Sequence, residues 1–62
     1  MKAGDKRKLD GKDITILEIK PRNEWAKLGR FEPTGIDLLG LGIIGEHEDG
    51  TKEYFYDFDL DD

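Results

Sequence analysis

The chain has 62 residues and a formal net charge of −5, with 15 Asp and Glu against 10 Lys and Arg. A chain of this length supports one small core, so we expect a single domain over residues 1–62, loose at 1–5 and frayed at 61–62. Cysteine is absent from the sequence, which excludes disulfide bonds and thiolate metal sites.

The first predicted element is a hairpin that turns at Asp10-Gly11, with strands at 6–9 and 12–19. A type I′ turn needs positive φ at both central residues, which Gly adopts freely and Asp tolerates. A turn of this length fixes the pairing of the two strands. We therefore expect Leu9 to face Lys12, and each residue before Leu9 to face the corresponding residue after Lys12.

The second strand of this hairpin changes its apolar side partway along. Ile14 and Ile16 share one face, whereas Leu17 and Ile19 share the other. This pattern predicts either a β-bulge after Ile16 or a strand that is covered on both faces. We expect the strand to end at Pro21, because proline cannot donate to a ladder.

Residues 23–29 are predicted to form a short helical turn. Asn23 is a good N-cap and Gly29 suits the C-terminal cap. A short strand is the alternative, because Trp25 and Phe31 also fit an extended segment. In both cases we expect Phe31 to help close the end of the core.

A long hairpin over residues 37–60, folded about Asp49-Gly50, is the largest predicted element. A two-residue turn places Glu48 opposite Thr51 and sets the register. Because side chains alternate along a strand, one face is predicted to form the core: Leu39, Leu41, Ile43, Tyr54, Tyr56, Phe58 and Leu60. The other face then carries Leu38, Gly40, Gly42, Ile44, Glu46, Glu53, Phe55, Asp57 and Asp59.

Two hairpins and a short crossover predict a mainly β fold, and two arrangements remain open. One is a small, strongly bent barrel of SH3-like shape, because residues 4–19 resemble the opening hairpin of many such domains. The other is a four-stranded antiparallel sheet with the helical turn on one face. We favour the barrel.

The outer face of the long hairpin is the predicted functional surface. Ile44 opposite Phe55 forms an apolar pair with acids around it, which suits a protein interface. The predicted protein-binding residues are Ile44, Glu46, Glu53, Phe55, Asp57, Asp59 and Asp61. The alternative is that Ile44 and Phe55 are covered as a second layer of core.

The charge distribution predicts the kind of partner. Residues 46–62 hold eight Asp and Glu against one Lys, a net charge of −7. We expect a non-enzymatic protein-interaction module whose acidic, partly aromatic β-surface binds a basic protein. In a sharper form, the carboxylates mimic the charge of DNA, as in small acidic inhibitor proteins of phages and mobile elements.

Two other functions are considered. A nucleic-acid-binding accessory would use the basic first hairpin, with Lys6, Arg7, Lys8 and Lys12, although the acidic chain argues against it. An assembly subunit would pair through its strand edges.

No catalytic, cofactor or metal site is predicted, because the chain has one His and its acidic tail lacks the EF-hand pattern. The sequence also has neither an apolar signal core nor an apolar run of membrane-spanning length. We expect a cytoplasmic protein without membrane contact, acting in the host cytoplasm if a phage encodes it.

Overall fold

The computed structural model describes residues 1–61. Asp62, which was predicted to be part of a frayed end, lies outside the described residues. One antiparallel sheet has the strand order β1-β2-β3-β4, with the elements β1 (Lys6–Leu9), β2 (Lys12–Pro21), α1 (Arg22–Lys27), β3 (Leu41–His47), β4 (Lys52–Tyr56) and a 3-10 helix (Asp57–Asp59). The fold is mainly β, as predicted. The described strands form an open sheet and do not close into the favoured barrel.

The first hairpin has the turn that its sequence predicts. Asp10 and Gly11 have φ values of 52° and 75°, both in the left-handed region that a type I′ turn requires. Leu9 therefore faces Lys12. The turn is encoded locally, because its two residues are among the few that tolerate this conformation.

Backbone hydrogen bonds also link the start of the chain to β2. The Gly4 N–H donates to the Ile16 carbonyl (2.7 Å), and the Ile16 N–H donates to the Asp5 carbonyl (2.8 Å). The Asp5 N–H in turn donates to the Lys2 carbonyl (3.1 Å). These bonds extend the pairing of the first hairpin beyond the start of β1.

A bulge in β2 explains its change of apolar side. The register with β3 shifts between Ile16 and Glu18, so Leu17 is the extra residue. After this insertion Ile19 returns to the side of Ile14 and Ile16, and it packs against the same core. The bulge predicted after Ile16 is confirmed.

Residues 22–27 are helical rather than extended, which agrees with the first interpretation of this segment. The helix begins directly after Pro21, whose side chain makes no cap hydrogen bond, and not at Asn23. Proline is tolerated at this N-cap, where ψ is 144°, because an N–H at this position would have no partner within the helix. Gly29, with a φ of 70°, lies just beyond the helix.

The second hairpin differs from the prediction by one residue in register. Ile43 faces Phe55 and Ile44 faces Tyr54, whereas the predicted turn would place Ile43 opposite Tyr56. A slip of one residue moves every side chain of a strand to the other face. Phe55 is therefore a core residue, and the two tyrosines of β4 lie on the opposite side of the sheet.

The loop between β3 and β4 causes this shift. The His47 N–H donates to the Thr51 carbonyl (2.8 Å), so three residues lie between the bonded positions instead of two. Gly50 takes a positive φ of 90°. Asp49 instead uses its carboxylate to accept the Thr51 N–H (2.9 Å). This local bond competes with the type I′ turn and replaces it.

The core lies on one side of the sheet. Its buried members are Leu9, Ile14, Ile16, Ile43 and Phe55, with Ile19 and Leu60 packed against them. Two residues predicted for the core are exposed instead, since Leu39 is 84% exposed and Phe58 is 69% exposed. Leu39 precedes β3, and Phe58 lies in the 3-10 helix, so neither belongs to the ladder that buries the core.

Candidate functional site

Five aromatic rings form a continuous row that begins on the side of the sheet opposite the core. Successive ring centroids lie 5.4, 4.5, 5.6 and 5.3 Å apart along the row, which consists of Trp25, Phe31, Tyr54, Tyr56 and Phe58. We name this row the aromatic ridge. Trp25 is fully buried at its inner end, whereas Phe31 is 52% exposed and Phe58 is more so.

Trp25 anchors the ridge to the sheet at Gly42. Its indole N–H donates to the Gly42 carbonyl (2.8 Å). A Cβ at position 42 would lie 2.5 Å from the Trp25 Cδ1 and would overlap the Tyr54 hydroxyl. The absent side chain therefore allows the indole of α1 to contact the backbone of β3 directly.

Phe31 adopts an unusual backbone conformation. Its φ is 66°, a value that bulky residues rarely take and that costs about 1–3 kcal/mol. The ring is nevertheless held in place, because it stacks on Tyr54 with an interplanar angle of 10°. The connector between α1 and β3 (residues 28–40) turns sharply here, since the Glu32 N–H donates to the Arg30 carbonyl (2.7 Å). The sequence predicted that Phe31 would help close the end of the core. In the structure Phe31 instead forms part of the aromatic ridge.

The buried carboxylate of Glu32 stabilises the aromatic ridge through hydrogen bonds. The side chain of Glu32 is only 3% exposed, and its Oε1 lies 3.0 Å from the Arg22 Nε. Arg22 Nη2 donates to the other carboxylate oxygen (3.2 Å), and the Tyr54 hydroxyl donates to Oε1 (2.8 Å). The Arg22 guanidinium also lies 4.2 Å from the centre of the Tyr56 ring. This network ties α1, the connector and β4 together.

The network changes the acidity of its members. Hydrogen bonding and charge from Arg22 lower the pKa of Glu32 below its ordinary value, even though burial opposes this. Burial and the hydrogen bond to Glu32 raise the pKa of Tyr54 well above that of a free tyrosine. At neutral pH Glu32 is therefore ionised and Tyr54 is a neutral donor.

A shallow hollow of about 230 Å³ lies beside the inner half of the ridge. Ile44, Phe31 and Tyr54 provide apolar lining, and Lys52 and Arg30 provide positive charge. The Arg30 guanidinium carbon lies 5.1 Å from the ring centres of both Trp25 and Phe31. This end of the ridge therefore carries two cations beside one acid, Glu53, a feature that the sequence prediction missed because Arg30 and Lys52 are distant in the chain.

The residues predicted to bind a protein are not brought together as one surface. Phe55 is 3% exposed and belongs to the core, so the predicted pair with Ile44 does not exist. Ile44 lines the hollow together with Glu53. Glu46 faces Lys52 across the hairpin. The change in register explains these differences.

The three predicted acids at the end of the chain have structural contacts. They were expected to alternate along a strand, but β4 ends at Tyr56 and a 3-10 helix follows. Each carboxylate accepts a backbone N–H: Asp57 from Leu41 (3.4 Å), Asp59 from Tyr56 (2.9 Å) and Asp61 from Gly11 (2.7 Å). These bonds fix the chain after β4 and connect it to the first hairpin.

A second groove, of about 580 Å³, lies between the two hairpin turns. Its lining mixes both signs of charge, and Lys8 forms an ion pair with Asp13 (2.6 Å). This pairing lowers the pKa of Asp13. His47 also lines the groove, and its Nε2 lies 2.8 Å from a Glu53 carboxylate oxygen. The basic first hairpin is therefore partly neutralised by acids.

No protein-family model, curated protein or solved structure matches this chain. Within residues 1–61, no helix is long and apolar enough to cross a membrane. In the same part of the chain, no group of three or more His, Asp or Glu residues is placed to hold a metal ion.

Proposed function

We propose that this chain is a non-enzymatic protein-interaction module that presents an acidic, partly aromatic β-surface to a basic protein partner. The observation that carries the proposal is the exposure of Phe31 and Phe58 in an otherwise ordered row of rings. Aromatic side chains dominate the binding energy of many interfaces, because they bury a large area at low conformational cost. A strained and half-exposed Phe31 contributes little to a core.

The charges around the outer half of the ridge favour a basic partner. Asp57 and Asp59 flank Phe58 in the 3-10 helix. An arginine already lies over the Tyr56 ring within the chain, which shows that this ring accommodates a guanidinium. A partner that presents Arg or Lys beside apolar groups would pair its cations with these carboxylates and bury the ring of Phe58.

The sharper form of this proposal, DNA mimicry, and the alternative of nucleic-acid binding have less support. Regular spacing of carboxylates along a strand was the basis for DNA mimicry, and the 3-10 helix at Asp57–Asp59 interrupts that spacing. Nucleic-acid binding through the first hairpin is opposed by Asp13, which pairs with Lys8, and by Asp61, whose carboxylate lies at the turn. We therefore propose that the partner is a basic protein.

Capture of partners from a lysate of the source organism tests the proposal. Phe58→Ala removes the most exposed ring of the ridge, and Leu17→Ala, at the β2 bulge, is the matched control. Asp57→Asn combined with Asp59→Asn removes charge but keeps oxygen acceptors for the backbone bonds.

We expect a basic protein that binds the unaltered chain and Leu17→Ala but is lost with Phe58→Ala. The same protein should be weakened by the double Asn variant and by high salt. Equal capture by Phe58→Ala, or capture that does not change with salt, would contradict the proposal. Circular dichroism of each variant establishes that the fold is kept.

A further inference from the structure

The sheet has two edges, and residues 1–61 cover only one of them. At the β1 edge, the Asp61 N–H donates to the Lys8 carbonyl (2.9 Å), so the end of the chain lies against that strand. At the other edge is β4, which among residues 1–61 pairs with β3 alone. An open strand edge is a template for pairing with another strand.

The outward-facing groups of β4 follow from its ladder. The His47 N–H donates to the Thr51 carbonyl, so these residues occupy a hydrogen-bonded position, and such positions alternate along antiparallel strands. Lys52, Tyr54 and Tyr56 therefore direct their N–H and C=O groups away from β3. The Tyr56 N–H is consistent with this, because it donates outside the ladder to the Asp59 carboxylate (2.9 Å). Asp59 thus occupies one edge donor, and those of Lys52 and Tyr54 face outward.

Charge along this edge favours a second copy of the chain over other strands. Lys52 lies at the start of β4, and the carboxylate of Asp59 lies at the outer side of its end, where it accepts the Tyr56 N–H. Two copies in antiparallel orientation bring the basic start of one strand beside the acidic end of the other, twice by symmetry. A two-fold axis at Tyr54 also places the outward N–H groups of Lys52 and Tyr54 opposite backbone carbonyls of the second copy.

We propose that β4 is the docking edge for a second copy of this chain, with the two strands pairing antiparallel about Tyr54. Tyr54 exchanges both backbone bonds with Tyr54 of the second copy. Each Lys52 N–H donates to the Tyr56 carbonyl of the other copy. The two sheets then form one continuous sheet, with the aromatic ridges side by side on one face. This pairing does not depend on the basic partner proposed above.

Analytical ultracentrifugation of the purified chain at low salt tests the pairing. We expect the mass to rise from monomer towards dimer as the concentration is raised from micromolar to millimolar. Amide shifts in NMR spectra should change with concentration at Lys52 and Tyr54, and much less at Lys6 on the β1 edge. A chain that stays monomeric throughout, or shifts that map elsewhere, would overturn the proposal.

Two kinds of variant separate pairing from folding. Lys52→Pro removes an outward N–H, so it should abolish the dimer and leave the monomer folded. Lys52→Glu alone, or Asp59→Lys alone, should weaken the dimer about tenfold by placing like charges together. A mixture of these two variants restores opposite charges at both contacts, so a heterodimer should form.

A mixture that stays monomeric while both components are folded would contradict the charge argument. A Lys52→Pro variant that folds and still dimerises would rule out β4 as the docking edge. Because these measurements contain no other protein, their failure leaves the lysate test of the proposed function unaffected.

Discussion

Replacing Gly42 with Ala tests whether the aromatic ridge depends on the absence of one Cβ. The added carbon would lie 2.5 Å from Cδ1 and 2.8 Å from Nε1 of Trp25. Neither neighbouring ring can move easily, because Trp25 is fully buried and the Tyr54 hydroxyl is bonded to Glu32. The substitution should therefore push α1 and the connector away from the sheet.

The expected loss of stability combines three effects. Overpacking of a filled site costs about 1–3 kcal/mol. Loss of the bond between the Trp25 indole and the Gly42 carbonyl costs about 1 kcal/mol more. Alanine in a strand recovers about 0.5–1 kcal/mol relative to glycine, because it has less backbone freedom to lose. We expect the free energy of unfolding to fall by about 2–3 kcal/mol.

Urea unfolding followed by tryptophan fluorescence measures this loss, since Trp25 is the only tryptophan in the chain. For a small protein the urea dependence is about 1 kcal/mol per M, so the midpoint should fall by about 2 M or more. Gly35→Ala measures the cost of backbone strain without a steric clash, because its φ of 79° strains alanine while its surroundings within the described chain are open. A Gly42→Ala midpoint equal to that of the unaltered chain would refute the steric argument.

Two further predictions concern carboxylates. Arg22 lowers the pKa of Glu32 in the folded state. The ion pair therefore stabilises the fold fully above the unfolded pKa of about 4.3, and this stabilisation is lost as pH falls through the lowered pKa of the folded state. Urea midpoints of Glu32→Gln should therefore fall less between neutral and acidic pH than those of the unaltered chain, and parallel curves would contradict this. Asp61→Ala should lose about 1 kcal/mol, or about 4–8 °C in Tm, because the Gly11 N–H loses its acceptor. Asp61→Asn should lose less, and thermal melts that show equal losses would exclude a role for the hydrogen bond.

The two hairpins show what sequence predicts well and where it fails. At Asp10-Gly11 both turn residues adopt positive φ, so propensity alone gives the correct register. At Asp49-Gly50 the same dipeptide forms part of a longer loop, because the Asp49 carboxylate accepts the Thr51 N–H. A small local bond thus determines which face of a whole strand is buried.

The aromatic ridge was not predictable from periodicity. Trp25 and Phe31 lie outside the strands, and their places depend on contacts with β3 and β4 that are distant in sequence. Gly42 is one of three glycines between residues 40 and 45. Only the register of β3 shows that the indole of Trp25 lies over Gly42.

The acids and the aromatic rings carry different weight as indications of function. Asp57, Asp59 and Asp61 each bond a backbone N–H, so part of the high charge at the end of the chain has a structural cause. Phe31 is different, because its backbone is strained and half of its side chain remains in solvent. Burial explains a hydrophobic residue that packs in a core, but it does not explain this one. Strain that persists at an exposed aromatic residue is better explained by what that residue contacts in a complex. The ridge, rather than the net charge, therefore carries the stronger indication of binding.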